Sequence, residues 1–372
     1  MKFGIITHTI HKIANNQIFS YEPYVREMNL WSKYVKEFTV LAPLSTESIS
    51  KIENSYQHEN IKVVSIPIFN ITSSKNILKS LIVIPKICWK IFMVMKEVDH
   101  IHLRCPGNIG LLGCLVQILF PSKPKTVKYA GNWDPNSKQP LSYRLQKMIL
   151  SNTFLTRNCK VLVYGKWENQ SNNIIPFFTA SYRKDEIEKI PDKSFNRTIR
   201  FVFVGTFSEG KQPFLSVKTI EELKKDGLNV RLDMYGDGAL FDNVLSYIKE
   251  NSLEENIFLY GNQSKEIVKR AFQKAHFLIF VSKSEGWPKV VAEAMFWGCL
   301  PVASQVSCIP YMLDEGERGI LVKSNTTAKD ISKLILEIIQ HNDDYKNKVN
   351  HAKNWSQQFT LDSFEKAIKR CL

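Results

Sequence analysis

The chain has 372 residues, 44% of them hydrophobic and 23% charged, with 50 lysines and arginines against 36 acids and a formal net charge of +14. That length suits two domains, each able to bury a core, and the composition excludes a disordered chain. The charge calls for an anionic partner such as a diphosphate or an anionic membrane surface; no helix-turn-helix, zinc-finger or RNA-recognition signature supports nucleic acid, and none is expected as a partner.

The seven cysteines are scattered, odd in number and without a C-x-x-C pair, so neither a disulfide framework nor a zinc site is expected and a reducing cytoplasm fits. The apolar stretch within Met1–His8 is too short for a signal-peptide core. No run reaches the ~18 uncharged apolar residues that a membrane span requires.

Apolar periodicity predicts a strand at 2–8, a helix at 22–36, strands at 38–42 and 61–66, a helix at 77–96, a strand at 99–104, a helix at 108–119 and a strand at 125–130. This βα alternation implies a parallel sheet with helices on both faces. His8 closes the first strand, so it is a candidate for the crevice above the sheet. His100 and His102 share one face of their strand and read as core residues. Arg104 ends the same strand and could bring positive charge to the crevice. Lys75, Lys79, Lys86 and Lys90 form one helical stripe beside Trp89 and Phe92, a pattern that suits an anionic membrane interface, although Pro85 interrupts it.

After a strand near 161–164, the charged segment 181–199, with Pro191, reads as a linker. A second βα series follows. It comprises a strand at 200–205, a helix near 213–226, strands at 230–236 and 257–261, and the buried run 277–281 leading into Ser284-Glu285-Gly286-Trp287-Pro288-Lys289-Val290-Val291-Ala292-Glu293-Ala294-Met295. Pro288 is placed to open a helix, whose first amides and dipole favour an anion in the crevice above the strand. Glu293 lies about one and a half turns in and leans back toward the N-terminus, where a ribose would sit beside a diphosphate. Glu285, on the loop, stands nearer the sugar. Upstream, Gly205-Thr206-Phe207-Ser208-Glu209-Gly210-Lys211 follows a buried strand and precedes a helix that Pro213 can open. Gly236-Asp237-Gly238 and Gly261-Asn262 end the next two strands, where glycine permits close backbone approach.

The string from Ser284 to Val302 resembles the Glu-x7-Glu motif of the family 4 retaining glycosyltransferases. The resemblance implies a GT-B fold: two Rossmann-like, doubly wound parallel-sheet α/β domains facing across a cleft. The expected division is 1–180 for an acceptor domain and 181–354 for a nucleotide-sugar domain, with a last helix near 355–371 packing back on the first. The 205–211 loop is similar to the family's G-R-L-x-x-x-K loop, with Lys211 in the lysine position and Thr206 where the arginine stands, so half of the diphosphate clamp is missing. The first domain departs further, since a glycine-rich loop after the first strand and a histidine after the strand at 125–130 are both absent.

What the resemblance implies is a metal-independent transferase that needs no cofactor. It would move a sugar from a nucleotide diphosphate, UDP or GDP, to a glycan or lipid-linked acceptor in bacterial surface polysaccharide assembly. No Asp-x-Asp pair that would hold a metal occurs in the sequence. Lys211, Glu285, Asn132, Asp134 and His8 are the catalytic candidates. The donor would lie on Gly205, Thr206, Lys211, Gly236, Asp237, Gly261, Asn262, Glu285 to Val291, and Glu293. The expected location is the cytoplasm, with attachment to the inner face of the membrane. Two other readings stay open: a GT-B nucleotide-sugar epimerase, and a catalytically silent nucleotide-sugar-binding protein.

Overall fold

The computed structural model describes residues 1–50, 52–68 and 74–372, with side chains described everywhere except 74–82. Its contacts divide the chain into Met1–Phe177 with Phe364–Leu372, and Phe178–Ser363.

The first unit contains, in order, β1 (Lys2–Ile6), β2 (His11–Ala14), β3 (Gln17–Tyr21), α1 (Glu22–Ser32), β4 (Glu37–Pro43), β5 (Glu53–Ser55), β6 (Ile61–Ile66) and α2 (Ser74–Glu97). It continues with β7 (His100–Cys105), α3 (Asn108–Val116), β8 (Lys125–Tyr129), α4 (Leu141–Ser151), β9 (Cys159–Tyr164) and β10 (Ile174–Phe177). Seven strands form a parallel sheet in the order β10-β9-β8-β7-β1-β4-β6. Covered on both faces, β1, β7 and β8 are almost wholly buried, although β7 and β8 carry His100, His102, Lys125, Thr126 and Lys128 into that interior. The chain leaves β1 toward β4 on one side and β7 on the other, so the sheet's switch point opens above the ends of these two strands, at Thr7-His8 and Cys105-Pro106-Gly107.

Several expectations change here. The loop after β1 is a hairpin, β2–β3, that pairs with β5 as a small antiparallel sheet. Its strands carry too many polar residues for periodicity to reveal them. The first helix stops at Ser32, and α2 runs through Pro85 without a break. Lys75 and Lys79 lie outside the residues whose side chains are described. Lys90 is tied down, its ammonium donating to the Ser65 carbonyl at 2.6 Å.

The second unit contains β11 (Ile199–Val204), α5 (Pro213–Lys225), β12 (Val230–Tyr235), α6 (Phe241–Glu250), β13 (Ile257–Leu259), α7 (Lys265–Lys274), β14 (Phe277–Phe280) and α8 (Lys289–Phe296). Then come β15 (Leu300–Ser304), α9 (Ile309–Leu313), β16 (Ile320–Val322), α10 (Ala328–Gln340) and α11 (Asn342–Ser356); α12 (Leu361–Lys369) begins in this unit and ends in the first. The sheet is parallel in the order β13-β12-β11-β14-β15-β16. Its switch point lies between β11 and β14, whose Phe201 and Phe277 pair in register and stack at 5.4 Å. The last helix is not continuous from 355, because α11 ends at Ser356 and a turn at 357–360 precedes α12.

The expected linker at 181–199 is part of the second unit and packs on its helices. Lys193 donates to the carbonyls of Phe272, Ala275 and Gly298 at 3.1, 2.5 and 2.7 Å, satisfying the ends of α7 and α8, and burial lowers its pKa to about 8. Among the described residues no helix is long and apolar enough to cross a membrane.

Candidate active site

In the second unit the switch point is flanked by two loops, 205–212 after β11 and 281–288 after β14. They are laced together. Lys283 N–H and the Ser282 hydroxyl donate to the Gly210 carbonyl at 2.9 and 3.2 Å, and the Gln212 amide donates to the Val281 carbonyl at 3.2 Å. Across this seam the Lys211 ammonium pairs with the Glu285 carboxylate, only 9% exposed, and sits 4.8 Å from the Phe280 ring centroid. Two residues that the sequence places 74 apart thus form one charged pair at the sheet's natural anion crevice.

Each loop is held from behind. Ser304 accepts from Ser282 N–H at 3.0 Å and donates to its carbonyl at 2.6 Å, while the hydroxyl of Ser307 and the thiol of Cys308 both donate to the Gly286 carbonyl. On the other side, Gly205 N–H donates to Tyr235 O, Phe207 N–H to Asp237 O, Gly236 N–H to Gly261 O and Leu240 N–H to Phe207 O, all near 3 Å. The ends of β11, β12 and β13 are therefore joined backbone to backbone. Gly236 makes this feasible: at φ 126°, a Cβ there would come within 1.9 Å of the Gly205 carbonyl oxygen. Asp237 is exposed and its carboxylate accepts from Gly238 N–H at 2.7 Å. Thr206 and Asn262 are exposed at the same rim.

The helix α8 begins at Lys289, with Pro288 as its capping residue rather than its first helical one. Its N-terminal end, the positive end of the helix dipole, faces the end of the 281–288 loop, and Val291 N–H closes the first turn on the Pro288 carbonyl at 3.0 Å. Val291 is buried beneath. Trp287 departs from expectation, since its ring is buried against Trp355 at 6.2 Å and Phe359 at 5.9 Å and anchors the loop, leaving its backbone as the part nearest the crevice. Glu293 accepts a hydrogen bond from the Ser181 hydroxyl, and with Lys289, one turn back, lines a crevice closed by Thr179 to Tyr182 and by Ser356 and Phe359. Burial and the Glu293 charge both raise the Tyr182 hydroxyl's pKa. Ser181 was missed because it lies 112 residues away in a segment without periodicity.

The first unit's candidates sit at its own switch point. The His8 ring lies against Gly107, where a Cβ would meet Nδ1 at 2.8 Å, and burial and the Arg104 charge both lower its pKa. Arg104 is not a spare cation for a phosphate: it is bonded to Glu27 at 2.9 Å, both nearly buried, and lies over the Tyr24 ring. Asn132 Oδ1 accepts from Asp134 N–H, and Asp134 Oδ1 from Asn136 N–H, each at 2.8 Å, so both side chains shape the loop they stand on. His100 and His102 are buried on the shared Thr126 hydroxyl at 2.9 and 2.8 Å, with pKa values lowered to about 4 and about 3 by burial first and by the neighbouring Lys160 and Arg104 charges, respectively, second.

Comparison with known proteins follows this division. Residues 185–355 match the family described as glycosyl transferases group 1. The chain is 25% identical over 219 residues to an uncharacterized glycosyltransferase of Methanocaldococcus jannaschii, covering 57% of this chain and 58% of that one. It is 26% identical over 242 residues to the N-acetylgalactosamine-N,N'-diacetylbacillosaminyl-diphospho-undecaprenol 4-alpha-N-acetylgalactosaminyltransferase of Campylobacter jejuni, covering 63% and 56%. The chain thus spans a little over half the length of these relatives. The structure of a lipopolysaccharide outer core galactosyltransferase, WaaB, superposes over 100% of this chain and 99% of its own with a TM-score of 0.71 at 16% identity. The chain therefore has the GT-B fold, and its residues 185–355 match the family described as glycosyl transferases group 1.

Proposed function

We propose that this protein is a retaining glycosyltransferase that moves a sugar from a UDP- or GDP-linked donor to a glycan or lipid-linked saccharide in surface polysaccharide assembly. The observation that carries this reading is the Lys211–Glu285 pair, set where the 205–212 and 281–288 loops meet above β11 and β14. The group 1 match over 185–355 supports it, as does a relative named for transfer to a diphospho-undecaprenol-linked saccharide.

In the mechanism proposed here, the donor diphosphate lies over the 205–211 loop and the opening amides of α8. As the sugar–phosphate bond breaks, negative charge grows on the phosphate, and Lys211 and those amides stabilise it. The departing phosphate takes the acceptor's proton on the same face, which retains the anomeric configuration. Glu285 holds the sugar and aligns Lys211; Glu293 holds the ribose, exchanging Ser181 for a ribose hydroxyl. His8, Asn132 and Asp134 serve the acceptor. The work falls to basic side chains and amides, so transfer is proposed to need no divalent metal, at the inner face of the cytoplasmic membrane.

The Thr206 side chain, uncharged where an arginine would complete the clamp, favours the silent-binder reading enough to be tested beside it; a nucleotide-sugar epimerase would act on donor alone. The experiment incubates the protein with candidate donors, with and without a lipid-linked saccharide acceptor and with excess EDTA. Transfer that requires acceptor and survives EDTA is the expected result. Donor conversion without acceptor would favour the epimerase, binding without turnover the silent protein, and loss of transfer restored by Mn²⁺ would refute metal independence.

A further inference from the structure

Helix α4 is apolar on both sides. Ile149, Leu150 and Gln146 face the core, yet Leu141, Leu145 and Met148, at i, i+4 and i+7, form a second stripe that faces outward, with Leu141 79% and Met148 61% exposed. A surface helix ordinarily carries polar residues there. Phe154, just beyond the helix, is 70% exposed with the Arg157 guanidinium 4.4 Å over its ring. The neighbouring helix α3, which packs beside α4, exposes Leu115, and the turn that extends it exposes Leu119. An apolar ridge of this size on a soluble face marks a docking surface.

The charge around the ridge says what docks. Between Asn108 and Lys160 the only acid is Asp134, and of the eight lysines and arginines there six are at least partly exposed, Lys125 and Lys128 being buried in β8. Arg144, Lys138 and Arg157 are exposed at the edges of the stripe. Apolar side chains flanked by cations of a single sign fit the headgroup boundary of an anionic bilayer, where the apolar groups enter the acyl region and the cations meet phosphates. The ridge also adjoins the acceptor loop: Leu141 lies seven residues after Asp134, and Lys147 on α4 donates to the Asp134 carbonyl at 3.1 Å.

We infer that the α3–α4 face of the first unit, centred on Leu141, Met148 and Phe154, is the surface by which this protein sits on an anionic lipid bilayer. The inference deepens the transferase reading, on which its lipid-linked acceptor rests.

The test is co-sedimentation of the full chain with vesicles of phosphatidylglycerol and phosphatidylcholine, read without donor or acceptor so that the outcome is independent of the transfer reading. The variants are Leu141→Ser/Met148→Ser and, separately, Phe154→Ser; all three positions are exposed, and circular dichroism and the melting temperature check that each folds as wild type. The wild type should bind, and the double variant should lose roughly tenfold or more in partition coefficient, because two inserted side chains are removed. Equal binding by both variants and wild type overturns the inference. So does a wild type that ignores vesicles and sediments as a dimer that the double variant dissociates, which would assign the face to a second copy of the chain.

Discussion

At the residue scale, Lys211 and Glu285 are the pair on which the chemistry turns, and their proximity makes a specific kinetic prediction. Lys211→Ala removes the cation that faces growing phosphate charge and also leaves Glu285, nearly buried, without its partner beside the same phosphate. We expect kcat to fall about 10²–10³-fold. Adding Glu285→Gln to that variant should cost less than Glu285→Gln does alone, since contacting residues are not additive. Additive losses in steady-state kinetics would mean that the two act apart. Glu293→Gln should instead raise the donor KM with kcat nearly kept, because a ribose contact contributes equally to ground and transition states.

Histidines supply a pH prediction at the same scale. His11, His100 and His276 have pKa values lowered to about 4, and His102 to about 3, chiefly by burial. The unfolded chain binds these protons near pH 6.5 and the folded one does not, so the stability they contribute is complete above pH 6.5 and declines as pH falls toward 4. Each should add a slope of about 1.4 kcal/mol per pH unit within that window. Urea unfolding at pH 7.0 and 5.5 measures it; an unchanged midpoint would show that these rings are charged in the fold.

At the element scale, the strand-end loops of the second unit depend on one glycine more than on their sequence. Gly236→Ala forces a Cβ into the Gly205 carbonyl and should destabilise by about 2–3 kcal/mol or more, and should weaken donor binding as the 205–211 loop shifts. Gly261→Ala, at φ 65° with open space around it, should cost about 1 kcal/mol. Chemical denaturation of the two variants compares them, and equal losses would remove the backbone contact as the cause. How far these elements could be read beforehand follows from range. The strand–turn–helix around Glu285 and the loop at Lys211 are local patterns, so residue spacing exposes them. The Lys211–Glu285 pair, the Ser181–Glu293 bond and the burial of Trp287 on Trp355 join distant segments, and only strand order brings them together. The β2–β3–β5 sheet escaped because short polar strands carry no period, and Arg104 looked available because its partner Glu27 lies on another element.

At the scale of the whole molecule, both units are doubly wound sheets whose candidate residues gather at a switch point, while the chain's last helix returns to the first unit. There Phe364 and Phe177 pack at 5.4 Å, and Lys33 and Tyr34, in the turn after α1, hold Glu365. Phe364→Ala should cost about 3–5 kcal/mol of the first unit's stability. The central claim, that the second unit's switch point holds a nucleotide diphosphate sugar through Lys211, is tested most directly by thermal denaturation across a panel of UDP- and GDP-sugars, for wild type and Lys211→Ala. A ligand bound only by the native state raises the melting temperature. We predict that at least one nucleotide sugar does so for the wild type and that the shift is lost or sharply reduced in Lys211→Ala with its fold intact; an equal shift in both proteins, or none with any nucleotide sugar at millimolar concentration, would contradict the account.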